Sequence, residues 1–122
     1  MSLKRPSPLN IERVRRTPGS FSWIDRRLLT ENFLAYLTHE EIALYFFLVT
    51  ASDHYGMSFY GIRRICVTLG FSEAAFHQAI EGLRQMDLVE YRFPYFQVLA
   101  LPERPQPTSL RVRLALERRN GQ

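Results

Sequence analysis

Residues Thr38–Ala51 read THEEIALYFFLVTA, and this stretch decides the fold. Thr38 and Glu41 have the spacing of a capping box, in which the hydroxyl accepts from one orphan amide and the carboxylate reaches back to another. Leu37 and Ile42 flank the cap as a hydrophobic staple. From Ile42 to Val49 every residue is apolar, and a helix apolar all round is expected to be buried. The run is too short for a bilayer, which takes about 20 apolar residues. It is therefore expected to be the central helix of a small domain, with the rest of the chain packed around it.

The remaining 108–119 and 25–37 segments are less plain. Asp25 can cap a helix carrying Leu28, Leu29, Phe33, Leu34 and Leu37 on one side, with Thr30 as a competing cap. Arg26 and Arg27 fall in its first turn, where the helix dipole disfavours cations. They either meet an anion or partner or stay solvated. TSLRVRLALERR (108–119) alternates like a strand, but its composition and the cap at Thr108 or Ser109 favour a helix. Apolar residues beside arginines give this segment something to dock on: this domain, a second copy or a partner.

After the central helix, Asp53-His54-Tyr55-Gly56 reads as a turn, and Met57–Phe59 as a short strand. A helix from about Gly61 to Leu69 carries Ile62, Ile65, Cys66 and Leu69 on one face, and Gly70 ends it. Ser72 then caps a cleaner helix that runs to about Met86, stapled by Phe71 and Phe76. Its inner face is Phe76, Ala79, Ile80, Leu83 and Met86, and its outer face is Glu73, His77, Gln78, Glu81, Arg84 and Gln85. Two helices joined by a tight glycine-containing turn form a helix-turn-helix. Leu88–Arg92 and Tyr95–Leu99 follow as a hairpin around Phe93-Pro94, which in that position is a wing.

The chain thus divides into an N-terminal arm (1–18), a folded domain (19–102), and a proline-rich linker with a basic amphipathic segment (103–122). Its 122 residues, 46% hydrophobic, suffice for one core. The net charge of +4 is uneven. Residues 1–18 hold five basic residues against one acid, and residues 103–122 hold five arginines against two acids. The middle holds six arginines against nine acids. Basic character belongs to the tails, where Arg13, Arg15 and Arg16 either contact phosphate or only solubilise the chain. MSLKRPSPLN has no apolar core of a secretion signal. The single cysteine, Cys66, forms no internal disulfide and fits a small core residue in a reducing cytoplasm.

Three segments carry a resemblance: FSWIDRRLL (21–29), LTHEEIALYFFL (37–48) and LGFSEAAFHQAIEGLRQMDLVEYR (69–92). Together they resemble the amino-terminal winged-helix module of DnaD-type primosome proteins and of plasmid and phage replication initiators. In that group an apolar-x-x-Ile-x-Arg-x-Leu-Leu entry precedes a Leu-Ser/Thr-x-x-Ala-x-x-Leu-Tyr helix. The chain also resembles small helix-turn-helix proteins of bacterial mobile elements. The resemblance covers residues 21–101. It implies a mainly α fold with a small β-hairpin, a winged helix-turn-helix, with either binding of double-stranded DNA or protein association at an origin or operator, often as a homodimer. A role in replication initiation or transcription regulation follows, with a replication or regulatory protein as a further partner and no membrane.

Carried over by position, the recognition helix is Ser72–Met86, with Glu73, Ala74, His77 and Gln78 facing the groove. Gln78 can bond adenine in a bidentate way. Arg63 and Arg64 on the preceding helix suit phosphate contact. Arg84, Arg92, Arg15 and Arg16 complete the expected DNA-contacting set. Relatives often carry Arg or Lys at several groove-facing positions; here the recognition helix has no cation before Arg84. The wing is aromatic (Tyr91, Phe93, Tyr95, Phe96) rather than basic, which suits core packing or an interface better than base stacking. The alternative reading is therefore a protein-association module on the same scaffold. His39, His54 and His77 have no ligand spacing, and no nucleophile elbow, phosphate loop or catalytic carboxylate pair is present, so neither a metal, a cofactor nor catalysis is expected.

Overall fold

The structure, a computed structural model, describes residues 7–16 and 19–121. Of the expected arm, Lys4, Arg5, Pro6 and Pro18 lie outside the described residues. Its described part forms one exposed 3-10 turn at Ile11–Arg13, capped by the Asn10 side chain.

The capping box at the start of α2 (His39–Ala51) is complete. Thr38 Oγ1 accepts the Glu41 N–H at 3.1 Å, and Glu41 Oε1 accepts the Thr38 N–H at 2.9 Å. Leu37 is buried beneath it and Ile42 is half-buried. Leu44, Tyr45, Leu48 and Val49 drive α2 into the core against the helices at Ile62–Leu69 and Glu73–Gln85 and the strands at Met57–Phe59 and Tyr95–Val98. Burial pushes the Tyr45 phenol up to about 12, with the nearby Asp25 charge adding to the shift. One side of α2 departs from the expected all-round burial: Phe46 is 60% exposed. The neighbouring elements fully bury Glu41 and the 44/45/48/49 stripe and only half-bury Ile42, Ala43 and Phe47, so apolar composition overstates the burial of this helix.

Ahead of α2, the continuous helix expected over residues 25–37 is two short pieces, α1 (Arg27–Thr30) and a 3-10 turn (Leu34–Tyr36). The N-cap of α1 is Arg26, and Asp25 sits one residue ahead of it, its Oδ1 accepting the Arg27 N–H at 2.9 Å. Asn32 then takes φ 65°, a left-handed conformation that Asn tolerates better than most residues and that a helix cannot contain. The break redirects Phe33 and Leu37 into the core and leaves Leu29 exposed.

Beyond α2, the Asp53 carboxylate accepts the N–H groups of Tyr55 (2.8 Å) and Met57 (3.0 Å), which holds that carboxyl below its usual range and starts β1 (Met57–Phe59). α3 (Ile62–Leu69) ends at Gly70 with φ 71°, where a side chain would be strained. α4 (Glu73–Gln85) follows after two residues, capped by Ser72 Oγ on the Ala75 N–H at 3.0 Å. Inside the corner, Cys66 Sγ donates to the Ser72 carbonyl at 3.7 Å, and burial pushes its thiol pKa up.

β2 (Val89–Arg92) and β3 (Tyr95–Val98) form the expected hairpin, but the sheet has three strands. β1 pairs antiparallel with β3, giving the order β1-β3-β2. The molecule is mainly helical with this small antiparallel sheet. Phe76 of α4 and Phe96 of β3 meet edge to face at 6.2 Å, joining helices to sheet. Finally α5 (Ser109–Asn120), capped by Thr108, settles the 108–119 segment as a helix. It lies against the 34–36 turn. No described helix is long and apolar enough to cross a membrane.

Candidate nucleic-acid interface

α4 turns its core stripe (Phe76, Ala79, Ile80, Leu83) inward, so helical periodicity leaves Glu73, Ala74, His77, Gln78, Glu81, Arg84 and Gln85 exposed. The Ser72 oxygen accepts the Ala75 N–H, which fixes the entry of the helix, and its exposed O–H keeps its capacity to donate. His77 sits edge-on to Phe76 at 5.3 Å. That contact restrains the ring while its rim stays in solvent.

Arg63 and Arg64 are exposed on α3, one turn of chain before this face. Arg64 lies over the Tyr60 ring at 5.8 Å, so its stem is restrained while its charge faces water. Arg84 is less available. Its Nη1 is 3.2 Å from Glu81 and its Nε 3.8 Å from Glu90, so a phosphate would have to compete with two carboxylates. Arg92 is exposed on the sheet, opposite Tyr95 in register. Arg84 and Arg92 come together at a groove of about 370 Å³ with Met57, Tyr91, Tyr95 and Gln97. Arg15 and Arg16 are exposed in the arm. The expected set is thus divided among α3, α4, the sheet and the arm, with α4 itself carrying exposed Glu73 and Glu81.

The strongest polar contact was not among the expected site residues. Arg111 of α5 forms a bidentate pair with Glu41 of α2, Nη1 to Oε1 and Nη2 to Oε2, both at 2.6 Å. The two side chains are 12% and 5% exposed. Arg111 Nη1 also donates to the Tyr36 carbonyl at 2.9 Å. Hydrogen bonding to the Glu41 carboxylate raises the Arg111 pKa above its already high ordinary value. Gly82 of α4 makes room: a Cβ there would overlap the Glu41 carboxylate and stand 2.7 Å from Arg111 Nη2. Arg118 Nη1 adds a bond to the Leu37 carbonyl at 2.6 Å.

Arg27, expected either to meet an anion or partner or to stay solvated, meets the Glu31 carboxylate and also clasps the linker. Its Nη2 donates to the carbonyls of Pro102 and Glu103, both at 2.7 Å, while its Nε pairs with Glu31. The C-terminal segment is therefore tied to this domain by Arg27, Arg111 and Arg118. The sequence signal for these ties was slight: an acid already assigned to capping and an arginine in a basic tail.

Among the described residues, no three His, Cys, Asp or Glu side chains group closely enough to hold a metal ion. Compared with protein-family models, curated proteins and solved structures, the chain matches none of them.

Proposed function

We propose that the chain is a winged-helix protein that binds duplex DNA, with α4 in the major groove and Arg63 and Arg64 on phosphates. The observation that carries this reading is the α3–α4 corner. Two helices meet over a three-residue connection, the second presents an uncovered polar face with His77 and Gln78, and the first carries two exposed arginines without an acidic partner among the described residues. A hairpin directly after α4 and the strand order β1-β3-β2 suit a wing beside that corner. On this reading the protein acts as a cytoplasmic homodimer in replication initiation or transcription regulation, with half-sites about 34–36 Å apart.

A second reading has its own support. The pairing of Arg84 with Glu81 and Glu90, and the exposed Glu73, lower the attraction of α4 for a polyanion. These features favour a protein-association module on the same scaffold.

Fluorescence anisotropy of the intact chain on a mixed duplex at two salt concentrations separates the two. DNA binding through the corner predicts that Arg63→Ala with Arg64→Ala weakens binding and lowers the log–log salt slope by about two, roughly one per phosphate contact. An unchanged affinity and slope in that double variant overturns the proposal.

A further inference from the structure

Phe59 and Tyr95, the exposed rings on the outer face of the sheet, have no role in the duplex reading. Strand alternation turns Ser58, Val89 and Phe96 inward and leaves Phe59, Tyr95 and Arg92 on the outer side. Register aligns these three in one row across the sheet: Phe59 opposite Tyr95, and Tyr95 opposite Arg92. The Phe59 and Tyr95 rings are 5.6 Å apart, and they are 64% and 53% exposed. A solvated sheet face is ordinarily polar, so adjacent bare rings at its hairpin end call for an occupant.

The row is firmly supported. Beneath it, Tyr91 and Phe96 stack at 4.5 Å and 15°, and Phe76 meets both edge-on. The row also has a charge at one end. Arg92 is exposed and makes no ion pair among the described residues, whereas Glu90, the carboxylate of this face, already faces Arg84 at 3.8 Å. The groove beside the row, about 370 Å³, brings the Gln97 amide next to Tyr95 and Arg92. That volume is at the small end of the range of ligand sites, about 300–1,000 Å³.

We infer that this face is a stacking platform for single-stranded nucleic acid, with bases on Phe59 and Tyr95 and phosphate on Arg92. Flat rings accept any base face, and a cation at the end of the row meets the backbone that links successive bases. The rings and Met57 would suit a protein interface as well, since Tyr, Phe, Met and Arg are enriched there. The unspent cation favours a polyanion instead. This site is separate from the α3–α4 corner, so it can stand or fall without the duplex reading.

The test is anisotropy of fluorescein-labelled oligothymidylate and oligouridylate, each about 15 nucleotides, with the intact chain. Binding of either strand is expected, with Phe59→Ala and Tyr95→Ala each weakening it about tenfold. Phe59→Tyr and Tyr95→Phe, which keep a ring, retain binding, and Arg92→Ala flattens the salt dependence. Duplex binding through Arg63 and Arg64 is unchanged in the ring variants. The inference is overturned if neither strand binds the intact chain, or if both alanine variants bind as the parent does. It is also overturned if they alter only the sedimentation of the protein, which would make the face a protein interface.

Discussion

At the start of α2 the Thr38 hydroxyl accepts the Glu41 N–H at 3.1 Å; at the start of α4 the Ser72 hydroxyl accepts the Ala75 N–H at 3.0 Å. The local geometry is the same and the surroundings are opposite. The α2 cap is roofed by α5 and faces Gly82 of α4, and its carboxylate is shared between the Thr38 amide and the Arg111 guanidinium. The α4 cap opens to solvent, with exposed Glu73 and Ala74 beside it. The difference lies in the third residue after the cap. Glu41 has oxygens left over once the cap is made, and these attract a second partner. Ala75 has none. A capping box therefore provides a handle for tertiary structure as well as a helix start.

The comparison breaks first at Glu41. Glu41→Ala leaves Arg111 enclosed without its counter-ion, and truncating one member of a buried pair costs about 3–5 kcal/mol. Chemical denaturation is expected to show that loss, and a loss under about 1 kcal/mol, the scale of exposed pairs, would mean that the pair behaves as a surface one. Gly82→Ala sharpens the point by its sign. In an open helix this change would stabilise by up to about 1 kcal/mol. Here the new methyl overlaps the Glu41 carboxylate, and the strain of overpacking, about 1–3 kcal/mol, should dominate. A raised Tm for Gly82→Ala would show that the pair yields easily. The smallest effect is expected at the open cap, where Ser72→Ala loses one hydrogen bond and about 1 kcal/mol. If that loss equalled the one at Glu41, the contrast between the two caps would vanish.

The two caps also mark how far the sequence was legible. Both could be read because each is complete within four residues, and so could the turns at Asp53–Gly56 and Gly70. The hairpin and the inner stripe of α4 followed from periodicity. What could not be read depends on distance along the chain. The Glu41–Arg111 pair spans 70 residues, and the Arg27 clasp on the linker spans 75 or more. The single helix expected over residues 25–37 failed because its apolar spacing is genuine, yet Asn32 reverses the chain and tertiary packing prevails over periodicity. Arg84 was legible as an exposed residue of α4, but its approach to Glu90 needed the position of β2. The aromatic wing divided in a way that composition does not reveal: Tyr91 and Phe96 pack inward, while Phe93 and Tyr95 stay outside.

The span of the Glu41–Arg111 pair also has a meaning in time. A ribosome extends a chain from its N-terminus at about 5–20 residues per second, so Arg111, 70 residues behind, emerges roughly 4–14 s after Glu41. During that interval α2 can be capped, and the sheet can form once Val98 is out, but the carboxylate at the head of α2 has no cation and stays wet. Arrival of α5 then expels that water and closes the head of α2. The ion pair that ties α5 to the head of α2 is thus among the last contacts to form as the chain is made.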